Sequence, residues 1–156
     1  MKEIKELRNL KEKFFENEDG TITALVYKED IHYKLNGILR NINNILIDKD
    51  EYYENKYNDF KVKFYKNSNI LYKIVNDDYF VEIKLKDNDS PNMFKDNEKI
   101  IFENVLNNID LNYKVISKKL KEEIILKENT NIDKLEFIIN TNLNVELSDN
   151  RLYFKD

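Results

Sequence analysis

Residues 59–86 read DFKVKFYKNSNILYKIVNDDYFVEIKLK, and the fold turns on how that stretch pairs with itself. Phe60, Val62 and Phe64 alternate with lysines, then Ile70, Tyr72 and Ile74 alternate, then Val81, Ile83 and Leu85. A period of two is the mark of strands with one apolar face. A three-residue loop at Asn67-Ser68-Asn69 sets Phe64 opposite Tyr72 and Val62 opposite Ile74. A two-residue loop would turn apolar side chains to the wrong face. A turn at Asp77-Asp78 then sets Asn76 across from Tyr79, Ile74 across from Val81, Tyr72 across from Ile83 and Ile70 across from Leu85. The expectation is a three-stranded antiparallel meander with its Phe60-to-Leu85 face in the core. Lys61, Lys63, Tyr65, Leu71, Lys73, Val75, Phe80, Glu82, Lys84 and Lys86 form the other face.

Outward from the meander the spacing changes. Ile4, Leu7, Lys11, Phe14 and Phe15 recur at helical intervals over residues 2–17, and Gly20 follows as a stop. Thr21–Lys28 is a short β-branched strand. Asp30 is placed to cap a helix whose apolar face is Ile31, Leu35, Ile38, Leu39, Ile42, Ile45 and Leu46. Gly37 falls on that helix's polar side. Residues 48–58 form an acidic, tyrosine-rich connection. Ser90-Pro91 opens a further helix with Ile101, Phe102, Val105, Leu106 and Ile109 buried. Asn112–Ile116 fits a strand, 117–127 a helix that can break into a strand, and 132–139 either state. Leu143–Leu147 and Leu152–Phe154 flank Asp149-Asn150 as a hairpin. The expectation is a single α+β domain over 1–156: an antiparallel β-meander packed on helices, with a C-terminal β-hairpin.

The 156 residues suffice for a core without staples. There is no cysteine, which excludes disulfides, thiolate catalysis and thiolate zinc sites. The first ten residues mix both signs of charge, and no apolar run reaches membrane length, so a cytoplasmic protein with no membrane contact is expected. Abundant Asn, Lys, Ile, Tyr and Phe beside two Gly and one Pro fit A/T-rich codons. That discounts lysine richness as a sign of function. The net charge of −4 also disfavours nucleic acid as a partner of the whole surface.

Residues 87–98, DNDSPNMFKDNE, match an EF-hand loop at Asp87, Asp89, Phe94 and Glu98. Pro91 and Asn92 stand at its fifth and sixth positions, where the sharp turn needs glycine. The lone histidine, His32, lies in the first turn of the expected second helix, beside its apolar stripe. The order helix, meander, helix, strand over 30–116 resembles the core of restriction-endonuclease-like proteins, and Glu82-Ile83-Lys84 matches their E-x-K triplet. The resemblance implies a divalent metal held by Glu82 and a neighbouring aspartate, with Lys84 assisting the attacking water. The register puts Lys73 opposite Glu82, with no carboxylate on that strand. The stretch holds six Lys against four Asp or Glu, so a basic aromatic platform for nucleic acid is only weakly drawn.

No catalytic residue, metal ligand or cofactor is therefore assigned. The expected function is non-enzymatic binding of a partner protein, of the kind made by small phage or mobile-element inhibitors and immunity proteins. Its surface is expected at Asp48, Asp50, Glu51, Tyr52, Tyr53, Glu54 and Tyr57, because tyrosine suits interfaces and the carboxylates can mimic phosphate. The alternative is a nucleic-acid-binding or metal-nuclease-like protein that uses the 59–86 meander. The sequence does not fix the oligomeric state.

Overall fold

The Asn36-Gly37 pair overturns the helical expectation most directly. Both residues have positive φ, 49° and 79°, and Leu35 pairs with Ile38 across them. That is the two-residue hairpin turn for which Asn-Gly is best suited. The computed structural model describes residues 1–86, 91–129 and 134–156, and it is built of antiparallel strands. Its only helical element among these is a 3₁₀ turn at Lys5–Leu7. No helix there is long and apolar enough to cross a membrane.

The described residues form five sheets. β1 (Lys2–Glu3), β2 (Glu12–Glu16) and β3 (Ile22–Val26) form the first, and β4 (His32–Leu35) with β5 (Ile38–Asn41) the second. β6 (Asn43–Asp48), β7 (Tyr52–Tyr57), β8 (Lys61–Tyr65), β9 (Ile70–Asn76) and β10 (Tyr79–Leu85) lie side by side in one sheet. β11 (Asn92–Asp96), β12 (Lys99–Leu106), β13 (Ile109–Ile116) and β14 (Lys119–Leu126) make a four-stranded meander. β15 (Phe137–Thr141) returns to pair with β10 and completes a six-stranded sheet, and β16 (Asn144–Ser148) with β17 (Arg151–Lys155) forms the terminal hairpin.

The expected α+β class is thus corrected to a nearly all-β one, and the residues explain why. Helical spacing in 2–17 and 31–46 arises where short strands are interrupted by turns, so that i, i+3 and i+4 matches accumulate by chance. The segment 91–109 folds as β11 and β12, and 119–126 as β14 rather than a helix. The acidic connection 48–58 is a turn followed by β7. Among the described residues, asparagine and aspartate supply nine of the ten non-glycine residues with positive φ, Asn67, Asp77, Asn97, Asn108 and Asp149 included. These short polar side chains tolerate the left-handed conformation best. The EF-hand-like match at Asp87 and Asp89 and the Ser90 cap lie outside the described residues, as does Ile132.

The central meander keeps its expected register at Asn76–Tyr79, Val81–Ile74, Ile83–Tyr72 and Val62–Ile74. It departs at one place. Lys84 rather than Leu85 pairs with Ile70, so Leu71 is the extra residue of a β-bulge. Leu71 is fully buried, not on the outer face. The terminal hairpin turns at Asp149-Asn150 as expected, both residues with positive φ.

The core lies between the six- and four-stranded sheets. Val62, Phe64, Leu71 and Leu85 from the first meet Ile100, Phe102, Leu111, Tyr113 and Val115 from the second. Tyr113 is its centre: its ring lies 5.0 Å from Tyr72, 5.9 Å from Phe102 and 6.1 Å from Phe64. A small amide cluster ties the sheets at one end. Asn44 and Asn58 both donate to the Ser117 carbonyl, at 3.0 and 2.7 Å.

Candidate partner-binding surfaces

The tyrosine-rich run becomes strand β7, and alternation divides its side chains between two faces. Tyr53 packs against the core, and Asn55 is fully buried. The Asn55 amide oxygen accepts from the Val62 N–H at 2.8 Å while its Nδ2 donates to the Phe60 carbonyl at 3.1 Å. Tyr52 and Glu54 point to the opposite face. Tyr52 lies 5.5 Å from the Tyr65 ring with the Lys63 ammonium 4.8 Å above it, and Glu54 pairs with Lys61 at 3.6 Å. Asp50 and Glu51 occupy the β6–β7 turn, where the Asp50 N–H donates to the Asp48 carboxylate at 2.9 Å. Lys66 donates to Asp48 at 2.6 Å and holds that carboxyl below its ordinary range. The same ammonium sits 4.4 Å from the Tyr53 ring.

The seven expected site residues are therefore not one acidic surface. Tyr53 borders a cavity of about 300 Å³ beside Lys66 and Phe94, and Asp48 is tied to it only through its ion pair with Lys66. Tyr52 and Glu54 belong to the outer sheet face, and Tyr57, 51% exposed, lies in a groove toward the N-terminal strands. Two of the four carboxylates are matched to lysines, which weakens any mimicry of phosphate.

The outer sheet face carries a charged row running Glu54, Lys63, Lys73, Glu82 and Asn140 across neighbouring strands. Glu82 is buried, its carboxylate 3.8 Å from Lys73 and 3.5 Å from Lys84. The Asn140 amide donates to it at 3.4 Å. The E-x-K pair is thus joined to a second lysine rather than to a second carboxylate. Among the described residues no group of three or more His, Asp or Glu gathers to hold a metal. The Lys73 ammonium also covers the Phe80 ring at 4.0 Å, closing off a stacking platform. Glu82→Gln should lower stability by about 1 kcal/mol, because Lys73 and Lys84 then face each other without the charge between them. Urea denaturation checks it: the difference from the unaltered chain should shrink at high salt, and a salt-independent difference would point to packing instead.

His32 is fully buried in β4, not at a helix boundary. Its Nδ1 lies 2.7 Å from the Asn9 carbonyl, to which it donates, so it pins the N-terminal strands to β4. Its other nitrogen is closed off from solvent without a partner among the described residues.

One surface escaped the sequence reading. β14 pairs with β13 along its whole length, and among the described residues no strand pairs with its other edge. Ile109, Leu111 and Tyr113 of β13 are buried, yet their partners Leu126, Ile124 and Glu122 on the same face are exposed. Exposure reaches 46% at Ile124 and 61% at Leu126. The core face therefore runs one strand beyond what covers it. The alternation in Lys119–Leu126 carried the signal, but its three final apolar residues also fit a helix turn. The terminal hairpin repeats the feature: Val145 pairs with Phe154 and Leu147 with Leu152, an apolar face on which Leu147 is 71% exposed. No protein-family model, curated protein or solved structure matches the chain.

Proposed function

We propose that the protein is a non-catalytic β-module that binds a partner protein at strand β14. The observation that carries this is the contrast across one strand pair, with Ile109 and Leu111 buried and Leu126 and Ile124 exposed beside them. Proteins that leave a strand edge open normally guard it with charge. β14 does so at Lys121, Glu122 and Glu123, then ends in Ile124-Ile125-Leu126, all exposed. An added strand would satisfy the free backbone groups and cover the apolar side chains together. Contiguous apolar surface rimmed by charge is the usual mark of a protein contact.

A photo-crosslinking residue at Ile124, introduced in the cells that naturally make the protein, tests the reading. A discrete protein adduct is expected at Ile124, absent when Leu126→Glu is added, and absent from the same probe at Glu18 in the β2–β3 turn. Equal labelling at both positions would sink it.

A further inference from the structure

The groove beside Tyr57 has chemistry of its own. Two adjoining concavities, of about 530 and 430 Å³, share Asn41 and Tyr57. The first lies among Lys13, Tyr27, Ile31 and Ile42; the second among Tyr33, Leu35 and Arg40. Together they span a volume suited to a peptide-sized ligand. Hydrogen bonds from the Tyr27 N–H to the Lys11 carbonyl, at 2.9 Å, and from the Ile31 N–H to the Leu10 carbonyl, at 2.8 Å, hold the walls.

In a chain of net charge −4, neither concavity is lined by a carboxylate. Lys13 and Arg40 face it, and the Lys56 ammonium stands 5.3 Å from the Tyr57 ring at its edge. The acids nearby are already engaged. Glu3, whose carboxyl also feels the Lys13 charge, is held by two hydrogen bonds from Arg8 at 2.8 and 2.7 Å, which keep its carboxyl low. Asp30 pairs with Lys118, and Glu29 with Lys119. None of the three groove cations makes an ion pair among the described residues. The concavity at Tyr33 and Leu35 is mainly apolar, with Leu35 48% exposed, whereas the one at Tyr27, itself 40% exposed, is lined mostly by polar groups.

We propose that this groove binds an extended acidic peptide segment of a partner protein. Cations that touch no carboxylate call for an anionic ligand, and aliphatic walls at Ile31, Ile42 and Leu35 suit apolar side chains better than sugars or phosphates. Tyrosine and arginine are the residues most often found at the energetic centre of peptide and protein contacts. The groove shares no residue with β14, so each reading fails by its own measurement.

The test is fluorescence anisotropy with a labelled octapeptide of alternating Glu and Leu. Saturable binding is expected, weakened about tenfold by Arg40→Gln or by Lys13→Gln, the scale of one charge-assisted contact. Arg40→Lys should recover most of the loss. Tyr57→Ala should weaken binding and Tyr57→Phe should preserve it. Affinity should fall between roughly 0.05 and 0.5 M salt. Equal binding of a Lys-Leu octapeptide, or binding indifferent to both Gln variants, overturns the proposal. So does tighter binding of an oligogalacturonate or a thymidine oligonucleotide, each of which would name a different ligand class.

Discussion

Replacing Tyr113 with alanine is expected to cost about 3–5 kcal/mol, a large share of the 5–15 kcal/mol that typically holds a domain folded. The ring is fully buried and touches Phe64 and Tyr72 from one sheet and Phe102 from its own. Its removal leaves a cavity where the two sheets meet, and strands cannot collapse into it without breaking their register. Tyr113→Phe separates the ring from its hydroxyl. That hydroxyl is buried without a well-formed hydrogen bond; Glu122, its neighbour on β14, lies close enough only to disfavour the phenolate. The phenylalanine variant should therefore fall within about 1 kcal/mol of the unaltered protein, on either side. Urea denaturation at neutral pH reads both. A cost below about 1 kcal/mol for Tyr113→Ala, at unchanged denaturant slope, would show that the sheets do not share this core.

The contrast between the meander and the rest shows what sequence periodicity can carry. Residues 60–85 are readable because each strand is long enough to repeat and each turn length is constrained by which face the apolar residues occupy. Even there, the bulge at Leu71 was hidden: nothing in ILYKIV marks which residue the partner strand skips. Strands β4 and β5 have four residues each, too few for alternation to outweigh a seven-residue helical stripe. The deciding signal was Asn36-Gly37, whose positive φ angles a helix interior cannot hold. Likewise Asn97, Asn108 and Ser117 mark hairpin turns within segments, 91–109 and 117–127, whose apolar spacing fits helices. The tyrosine run was legible as composition, but only pairing shows that Tyr53 turns inward, Tyr52 outward and Tyr57 into a groove. Exposure of Ile124 and Leu126 was not legible at all. An apolar side chain on a strand predicts a covered face, and only the arrangement of the opposing sheet shows where covering ends.

Above about pH 10 the protein should lose stability steeply through two buried tyrosines. Burial raises the Tyr72 phenol well above its ordinary value, and burial followed by the proximity of Glu122 does so for Tyr113. Both groups are neutral when protonated, so the folded state holds these protons more tightly than the unfolded chain. Below the unfolded value, near 10, both states keep the protons and the effect is nil. Above it the unfolded chain releases two protons that the folded state retains, so stability falls as pH rises. Each tyrosine contributes a slope of about 1.4 kcal/mol per pH unit, together roughly 2.7, until the folded values are reached. The rings lie 5.0 Å apart, so ionising one further opposes ionising the other within the fold. Lysine ion pairs titrate in the same range, and the Tyr72→Phe/Tyr113→Phe double variant separates the two effects. Urea midpoints followed from neutral pH into strong alkali, with phenolate absorbance recorded alongside, should show unfolding and deprotonation together in the unaltered chain. The double variant should lose markedly less stability through the first pH unit above 10, the remainder falling to the lysine ion pairs and to Tyr65, whose phenol burial also raises. An identical loss in both proteins would assign alkaline unfolding to the surface lysines and refute the buried-tyrosine account.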